Sequence, residues 1–205
     1  MRIGSVVFDS PFLLAPLAGV GDSPFRRLAR EQGAAGVVTE MISAEGLVRG
    51  QAATYALCRF EPEERPIGAQ LFGAEPAVMA EAVRRLCDLA EPERPDWIDL
   101  NAGCPVRKVV TRRAGAALLA DLPRLVAMTR GMVEASRLPV TVKTRLGWDD
   151  SSSDVAGLAR AVEDAGAAAL TIHARTRAGL FGGVPRWEGI AEARQAVRIP
   201  VIGNG

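Results

Sequence analysis

The segment Asp99-Leu-Asn-Ala-Gly-Cys-Pro105 sets one cysteine, Cys104, in a tight Gly/Pro turn. An apolar run precedes it, and Arg107 and Lys108 follow. An ordinary cysteine is mostly thiol at neutral pH, so Cys104 could give a proton to a developing carbanion. As a thiolate beside Arg107 and Lys108 it could be a nucleophile. A small buried side chain in a glycine-shaped turn is the plain alternative. A second group lies in Val142-Lys-Thr-Arg-Leu-Gly147, where Lys143 and Arg145 share one face of a strand. A lysine inside an apolar run is costly unless it meets an anion or an electron-rich ring. Thr171-Ile-His-Ala-Arg-Thr-Arg177 repeats the arrangement with His173, Arg175 and Thr176. Gln70 lies within Gly68-Ala-Gln-Leu-Phe-Gly73. Its amide, if buried, needs a partner, either a heteroaromatic ring edge or neighbouring backbone.

These residues all sit at the ends of short apolar runs. The runs are Phe12–Leu17, Gly36–Thr39, Ile67–Phe72, Trp97–Leu100, Val140–Lys143, Ala169–Ile172 and Ile199–Gly203. Several are continuous in Val, Ile and Leu, as strands covered on both faces are. Between them lie helical patterns: Pro76–Leu89, with Val78, Ala82, Leu86 and Leu89 on one face; Asp121–Glu134, opening on an N-cap aspartate; Ser153–Ala165, closing on Gly166; and Glu188–Val197. Gly33 is expected to close the first helix. Strand and helix alternate, which means βα units and a parallel sheet. Nearly every unit delivers a polar side chain at the same strand end. An open sheet gathers contacts at one switch point, whereas a barrel gathers them from all its strands. The fold expected is therefore α/β, a (β/α)8 TIM barrel. About seven of its strands are visible and the sequence stops at Gly205, so a C-terminally truncated barrel is expected.

Composition narrows the classes. At 205 residues, 48% hydrophobic and 24% charged, the chain suits one globular core. No apolar run approaches the ~20 residues of a membrane span, and the N-terminus does not read as a signal peptide. Cys58, Cys87 and Cys104 are scattered, with no disulfide framework or zinc spacing, which fits a reducing cytoplasm. With one histidine, no metal site is expected. Cys58 and Cys87 have only packing contexts. Net charge is +1, so any polyanion must be met locally. Arg107, Lys108, Arg112, Arg113, Arg145, Arg175 and Arg177 are expected to converge on one rim. No GxGxxG or Walker motif follows a strand.

The ordered set APLAGVGDSPFR, TEM, GAQLFG, DLNAGCPVRKV, VKTRLGW, TIHARTRAGLFGG and IPVIGNG resembles the tRNA-dihydrouridine synthases, most of all the bacterial B-type. The likeness spans the whole sequence. It implies an FMN-dependent oxidoreductase that uses NADPH to reduce a tRNA uridine to 5,6-dihydrouridine. Residues 1–205 would be an incomplete FMN-binding barrel, with the helical tRNA-binding domain that follows it in the family absent. By that likeness Pro16, Leu17, Ala18, Gln70, Lys143 and His173 contact the flavin, and Asn204 and Gly205 begin its phosphate segment. Asn101 would sit by the uracil. Arg145, Arg175, Thr176, Arg107 and Lys108 would meet the RNA. Cys104 would protonate C5 as flavin N5 hydride reaches C6. The family also implies a cytoplasmic protein, monomeric at full length. Two alternatives stay open: a flavin barrel acting on a free pyrimidine, or an inactive remnant with an open sheet edge.

Overall fold

The computed structural model describes residues 1–205, apart from the side chain of Ser152. The apolar runs form one parallel sheet, because strands rich in β-branched residues bury both faces between helices. A short antiparallel hairpin, β1 (Arg2–Ile3) with β2 (Val6–Val7), stands apart from it. The sheet contains β3 (Val37–Val38), β4 (Ile42–Ser43), β5 (Ile67–Phe72), β6 (Trp97–Ala102), β7 (Val140–Arg145), β8 (Ala169–His173) and β9 (Val201–Asn204). Its order is β3-β5-β6-β7-β8-β9, with β4 also paired to β5. β3 and β4 are thus one wall, interrupted at Thr39-Glu40-Met41. At the break, Thr39 N donates to Gly68 O (2.9 Å), and Thr39 Oγ1 accepts from Gln70 N (3.1 Å).

The wall expected at Phe12–Leu17 is a single bridge, Leu13 to Gly36, rather than a strand. Pro16 has no N–H to give a ladder, and Pro11 precedes the run. Two backbone bonds hold the segment, Leu14 N to Gly36 O (3.0 Å) and Ala35 N to Phe12 O (2.8 Å). Pro16 and Asn204 line one cleft, so the two ends of the sheet approach each other. Among the described residues, β9 pairs only with β8. The architecture is the expected (β/α)8-type barrel, open between β9 and the Leu13 segment.

The helices are α1 (Ser23–Glu31), α2 (Ala44–Val48), α3 (Ala52–Ala56), α4 (Pro76–Cys87), α5 (Arg107–Val110), α6 (Leu122–Ala135), α7 (Val155–Asp164) and α8 (Trp187–Ala196). Asp121 caps α6 by accepting from Arg124 N at 3.2 Å. Gly33 and Gly166 follow α1 and α7 with φ of +96° and +95°, the left-handed conformation that glycine adopts freely. The buried face of α4 is Met79, Ala82, Val83 and Leu86, while Val78 and Leu89 flank it. That face packs on Ile98, Leu100 and Val142 from the outer side of the sheet.

Inside the barrel the filling is layered. Phe8 and Trp97 plug the floor edge to face, with centroids 5.5 Å apart and planes at 80°. Gly68 makes room, since a Cβ there would lie 2.3 Å from Trp97 Cε2. Above the plug the inward residues become polar.

A buried ion pair steadies the loop before α1. Arg26 Nε meets Glu64 Oε2 at 2.5 Å, and Arg26 Nη1 donates to Gly21 O at 2.7 Å. Glu64 Oε1 accepts from Ser23 Oγ (2.5 Å) and Glu61 N (2.9 Å). Gly21 N in turn donates to Leu17 O at 2.7 Å, so the turn at Leu17 hangs from this pair. Glu64→Ala leaves a buried, uncompensated guanidinium and should cost ~3–5 kcal/mol of stability. Urea unfolding checks this; a loss below ~1 kcal/mol would show that the pair does not hold the loop.

Candidate active site

Strand register builds the site. Asn101 lies level with Lys143, and Lys143 with Thr171. Arg145 lies level with His173, and His173 with Asn204. Alternation then turns Asn101, Lys143, Arg145, His173 and Asn204 inward at the C-terminal rim. They line a cleft of about 590 Å³, within the size range of cofactor pockets. Gln70, Cys104 and Arg175 line it too, and Pro16, Leu17, Ala18 and Gly205 complete its walls. Three expected site residues do not line it. Arg107 and Lys108 are exposed on α5, and Thr176 is buried beneath the loop after β8.

Cys104 is half-buried, and its backbone is held at both ends. Asn101 Oδ1 accepts from Gly103 N (3.2 Å) and Cys104 N (3.0 Å). Cys104 O accepts from Ala116 N at 3.0 Å. Gly115 permits that approach: its φ is +60°, and a Cβ there would lie 2.9 Å from Cys104 O. Cys58 and Cys87 are buried packing residues, and burial pushes the Cys58 thiol up to about 12.

Gln70 is fully buried, with neighbouring side chains as partners. Its Nε2 donates to Asp99 Oδ2 (2.7 Å), and its Oε1 accepts from Asn101 Nδ2 (2.8 Å). Asp99 also accepts from Thr141 Oγ1 at 2.5 Å. Burial raises the Asp99 carboxyl to about 6, against the pull of Gln70, Thr141 and Lys143. Burial lowers Lys143 to about 8, while Asp99 opposes that shift. Each group's charge thus opposes the shift that burial imposes on the other. Lys143 Nζ donates to Asn204 Oδ1 at 2.9 Å, the one hydrogen bond shown for an ammonium that carries three donors. A flat, electron-rich ring in the cleft would suit that cation.

Of the basic residues expected as an open rim, Arg107, Lys108, Arg112 and Arg113 are exposed, whereas Arg145, Arg175 and Arg177 are turned toward the loop after β8. Arg145 is 2% exposed; its Nε donates to Gly103 O (3.0 Å), and its Nη1 to Thr176 O (3.0 Å) and Leu180 O (2.6 Å). Leu180 has φ +48°, an uncommon conformation for a side-chain-bearing residue, and offers its carbonyl to Arg145. Arg175 donates to Gly182 O (3.1 Å) and Gly183 O (3.2 Å) and meets His173 Nε2 at 3.2 Å. Arg177 stacks over Trp148 at 4.3 Å. The physical reason is the glycine-rich loop after β8, whose carbonyls need donors. The result sets Phe181, 75% exposed, at the cleft edge, 6.3 Å from the His173 ring.

Asp99, Gly115 and Phe181 are additions to the expected site. Asp99 has a readable signal, two residues before Asn101 on the same strand face. Glu40 accepts a hydrogen bond from Gly19 N and so props the cleft-lining turn. Gly115 and Phe181 carry no periodic signal.

His173 is lowered to about 4, first by burial, then by the charges of Arg145, Lys143 and Arg175. All these disfavour the imidazolium, so the ring is neutral at pH 7. It is the only imidazole in the chain. Its NMR ring signal should stay flat from roughly pH 5.5 to 8 and move near pH 4. A midpoint near the ordinary histidine value would overturn the assignment.

A family model described as dihydrouridine synthase (Dus) matches residues 13–205. The chain is 40% identical over its full length to a "Probable tRNA-dihydrouridine synthase 1" of Synechocystis sp., covering 57% of that protein. It is 39% identical to the "tRNA-dihydrouridine synthase B" of Pseudomonas aeruginosa, covering 60% of it. It thus spans about three-fifths of the length of these curated relatives. Among solved structures, the old yellow enzyme homologue of Zymomonas mobilis superposes with a TM-score of 0.67 at 14% identity, over the whole of this chain and 80% of that one. TcOYE with pHBA gives 0.68 at 10%, again over the whole chain and 81% of the other. Those two are likenesses of fold. With its match running from the first barrel segment to the last residue, the chain belongs to the dihydrouridine synthase family.

Proposed function

We propose that these 205 residues form most of the catalytic barrel of an FMN-dependent, NADPH-driven tRNA-dihydrouridine synthase. The product is 5,6-dihydrouridine, and the protein acts in the cytoplasm. No helix among the described residues is long and apolar enough to cross a membrane. The observation that carries the proposal is that Cys104 and Lys143 line one cleft at the C-terminal strand ends of a family member. The length beyond this chain in its relatives is where a tRNA-gripping domain would lie.

The donor set fits FMN. Lys143 has ammonium hydrogens to offer an electron-rich ring edge, and Asn204 fixes where they point. Pro16, Leu17 and Ala18 supply a wall held by the Leu17 turn. His173, being neutral, offers a ring nitrogen without competing charge. Gln70 lines the same space, and Gly205 follows Asn204 toward the phosphate side. When bound, reduced FMN supplies hydride to uracil C6, and NADPH replaces the electrons.

The chain's own residues then manage the base and the proton. A uridine swung out of the tRNA enters the cleft. Asn101 holds the Cys104 turn from the uracil side. The Cys104 thiol gives its proton to C5 and is reprotonated from solvent. Arg145 and Arg175 keep the loop after β8 closed on this space, and Thr176 acts through Arg145. Arg107 and Lys108 stay outside, where they can meet phosphates.

Cys104→Ala in the full-length protein should lower dihydrouridine formation by ~10²–10⁴-fold with FMN still bound. Nucleoside mass spectrometry and the flavin spectrum read the two quantities; unchanged turnover would remove Cys104 as the acid. Lys143→Met should weaken FMN affinity by about tenfold in a fluorescence titration. Unaltered affinity would detach Lys143 from the cofactor.

A further inference from the structure

Cys104 does not hold its own position. Tracing its partners inward leads to a buried carboxylate that the proposed chemistry leaves without a role. Cys104 N donates to Asn101 Oδ1, Asn101 Nδ2 to Gln70 Oε1, and Gln70 Nε2 to Asp99 Oδ2. Thr141 Oγ1 occupies the other Asp99 oxygen. Asp99, Gln70 and Asn101 are all buried. We propose that Asp99 is a positioning residue: its carboxylate sets the direction of this relay and so fixes the backbone of Cys104.

The reasoning rests on which atoms can donate. An ionised carboxylate only accepts, whereas an amide side chain accepts at one end and donates at the other. Asp99 therefore obliges Gln70 to point its Nε2 downward. Gln70 Oε1 then faces Asn101 and obliges it to present Nδ2. That leaves Asn101 Oδ1 as the only end available to Gly103 N and Cys104 N. Two amides in series transmit the polarity of one carboxylate over the distance from the barrel interior to the turn. A reversed Asn101 would aim an NH2 group at two backbone N–H groups and release the turn. Buried networks of this kind specify one arrangement when every member is satisfied. The bearing of the relay on catalysis rests on Cys104 being the proton donor proposed above; the relay itself does not.

Isosteric exchanges test it. Asp99→Asn keeps the shape but lets either amide direction occur. Asn101→Asp places a carboxylate at each end of Gln70, which can donate from one end only. The double variant D99N/N101D reverses the polarity throughout: the new amide at position 99 donates to Gln70 Oε1, and Gln70 Nε2 donates to the new carboxylate at position 101. That carboxylate still accepts from Gly103 N and Cys104 N. Amide hydrogen exchange at Gly103 and Cys104, followed by NMR, reads the turn directly. Asp99→Asn should speed exchange at these two amides by about fivefold, the equivalent of one hydrogen bond. Asn101→Asp should lower the thermal midpoint. The double variant should recover the midpoint and bring exchange to within about twofold of the parent.

Unchanged exchange in Asp99→Asn, or a double variant no better than Asn101→Asp, would overturn the proposal. If either single variant does not fold, a double variant that folds supports the relay, and one that also fails overturns it. Dihydrouridine formation measured on the same proteins in full-length form separates the two ideas. A parent that makes no dihydrouridine ends the functional reading while the exchange data still decide the relay.

Discussion

Everything in the cleft depends on one constraint, the register of the parallel ladder from β5 to β9. Gln70 pairs with Asp99, Asn101 with Lys143, and Arg145 with His173, which pairs with Asn204. Side chains alternate along each strand, so a slip of one residue would turn this polar set toward the helices. It would also turn Ile98, Leu100, Val142 and Leu170 into the barrel. Those four are fully buried on the helix side, and that burial stabilises the register far more than any polar contact inside. The apolar face therefore aims the chemical one.

A polar interior has its own requirement, since each buried donor and acceptor must find a partner. The barrel meets it with side chains of unlike kind. Asp99 collects hydrogens from Thr141 and Gln70, and Asn101 serves the Cys104 turn. Arg145 and Arg175 serve carbonyls of the loop after β8. Lys143 is the exception, with one hydrogen bond for three donors and a depressed affinity for its proton. An under-partnered cation on the wall of the cleft marks where an outside partner is expected.

Much of this is legible in the order of the residues. The β5 bounds agree with the apolar run Ile67–Phe72, because that strand, Gln70 apart, has apolar or small residues on both faces. β6 runs further than its apolar part, since Asn101 and Ala102 continue the ladder beside Lys143 and Thr144. β9 starts later than Ile199, because Pro200 cannot donate and offers only its carbonyl, to Leu170 N. The first wall falls short of its apolar run for the same reason, at Pro16. α2 and α3 leave no mark in the sequence, being too short to show a period. Convergence at the rim is legible from residue type and strand end, but the fate of each side chain is not. Lys143 and Arg145 look alike in the sequence, two residues apart on one face. One keeps donors for the cleft, and the other is consumed by Gly103, Thr176 and Leu180. Which carbonyls a distant loop presents is a tertiary fact.

The same distinction separates two uses of positive charge. The net charge of these 205 residues is near zero, so their attraction for a polyanion must come from local groups. Arg145 is shielded, and Arg175 and Arg177 are tied to loop carbonyls and to the Trp148 ring. Arg107, Lys108 and Arg112 are exposed, directly after the cysteine turn. Arg113 is exposed as well but leans on Asp121 at 3.6 Å. A phosphate backbone arriving at this rim would meet α5 and its following turn first, and would be screened by salt as exposed charges are. The inward arginines would contribute shape instead, by keeping Phe181 and the glycine loop in place at the cleft edge. Charge that attracts and charge that builds thus lie on different residues, and the composition alone sums them into one number.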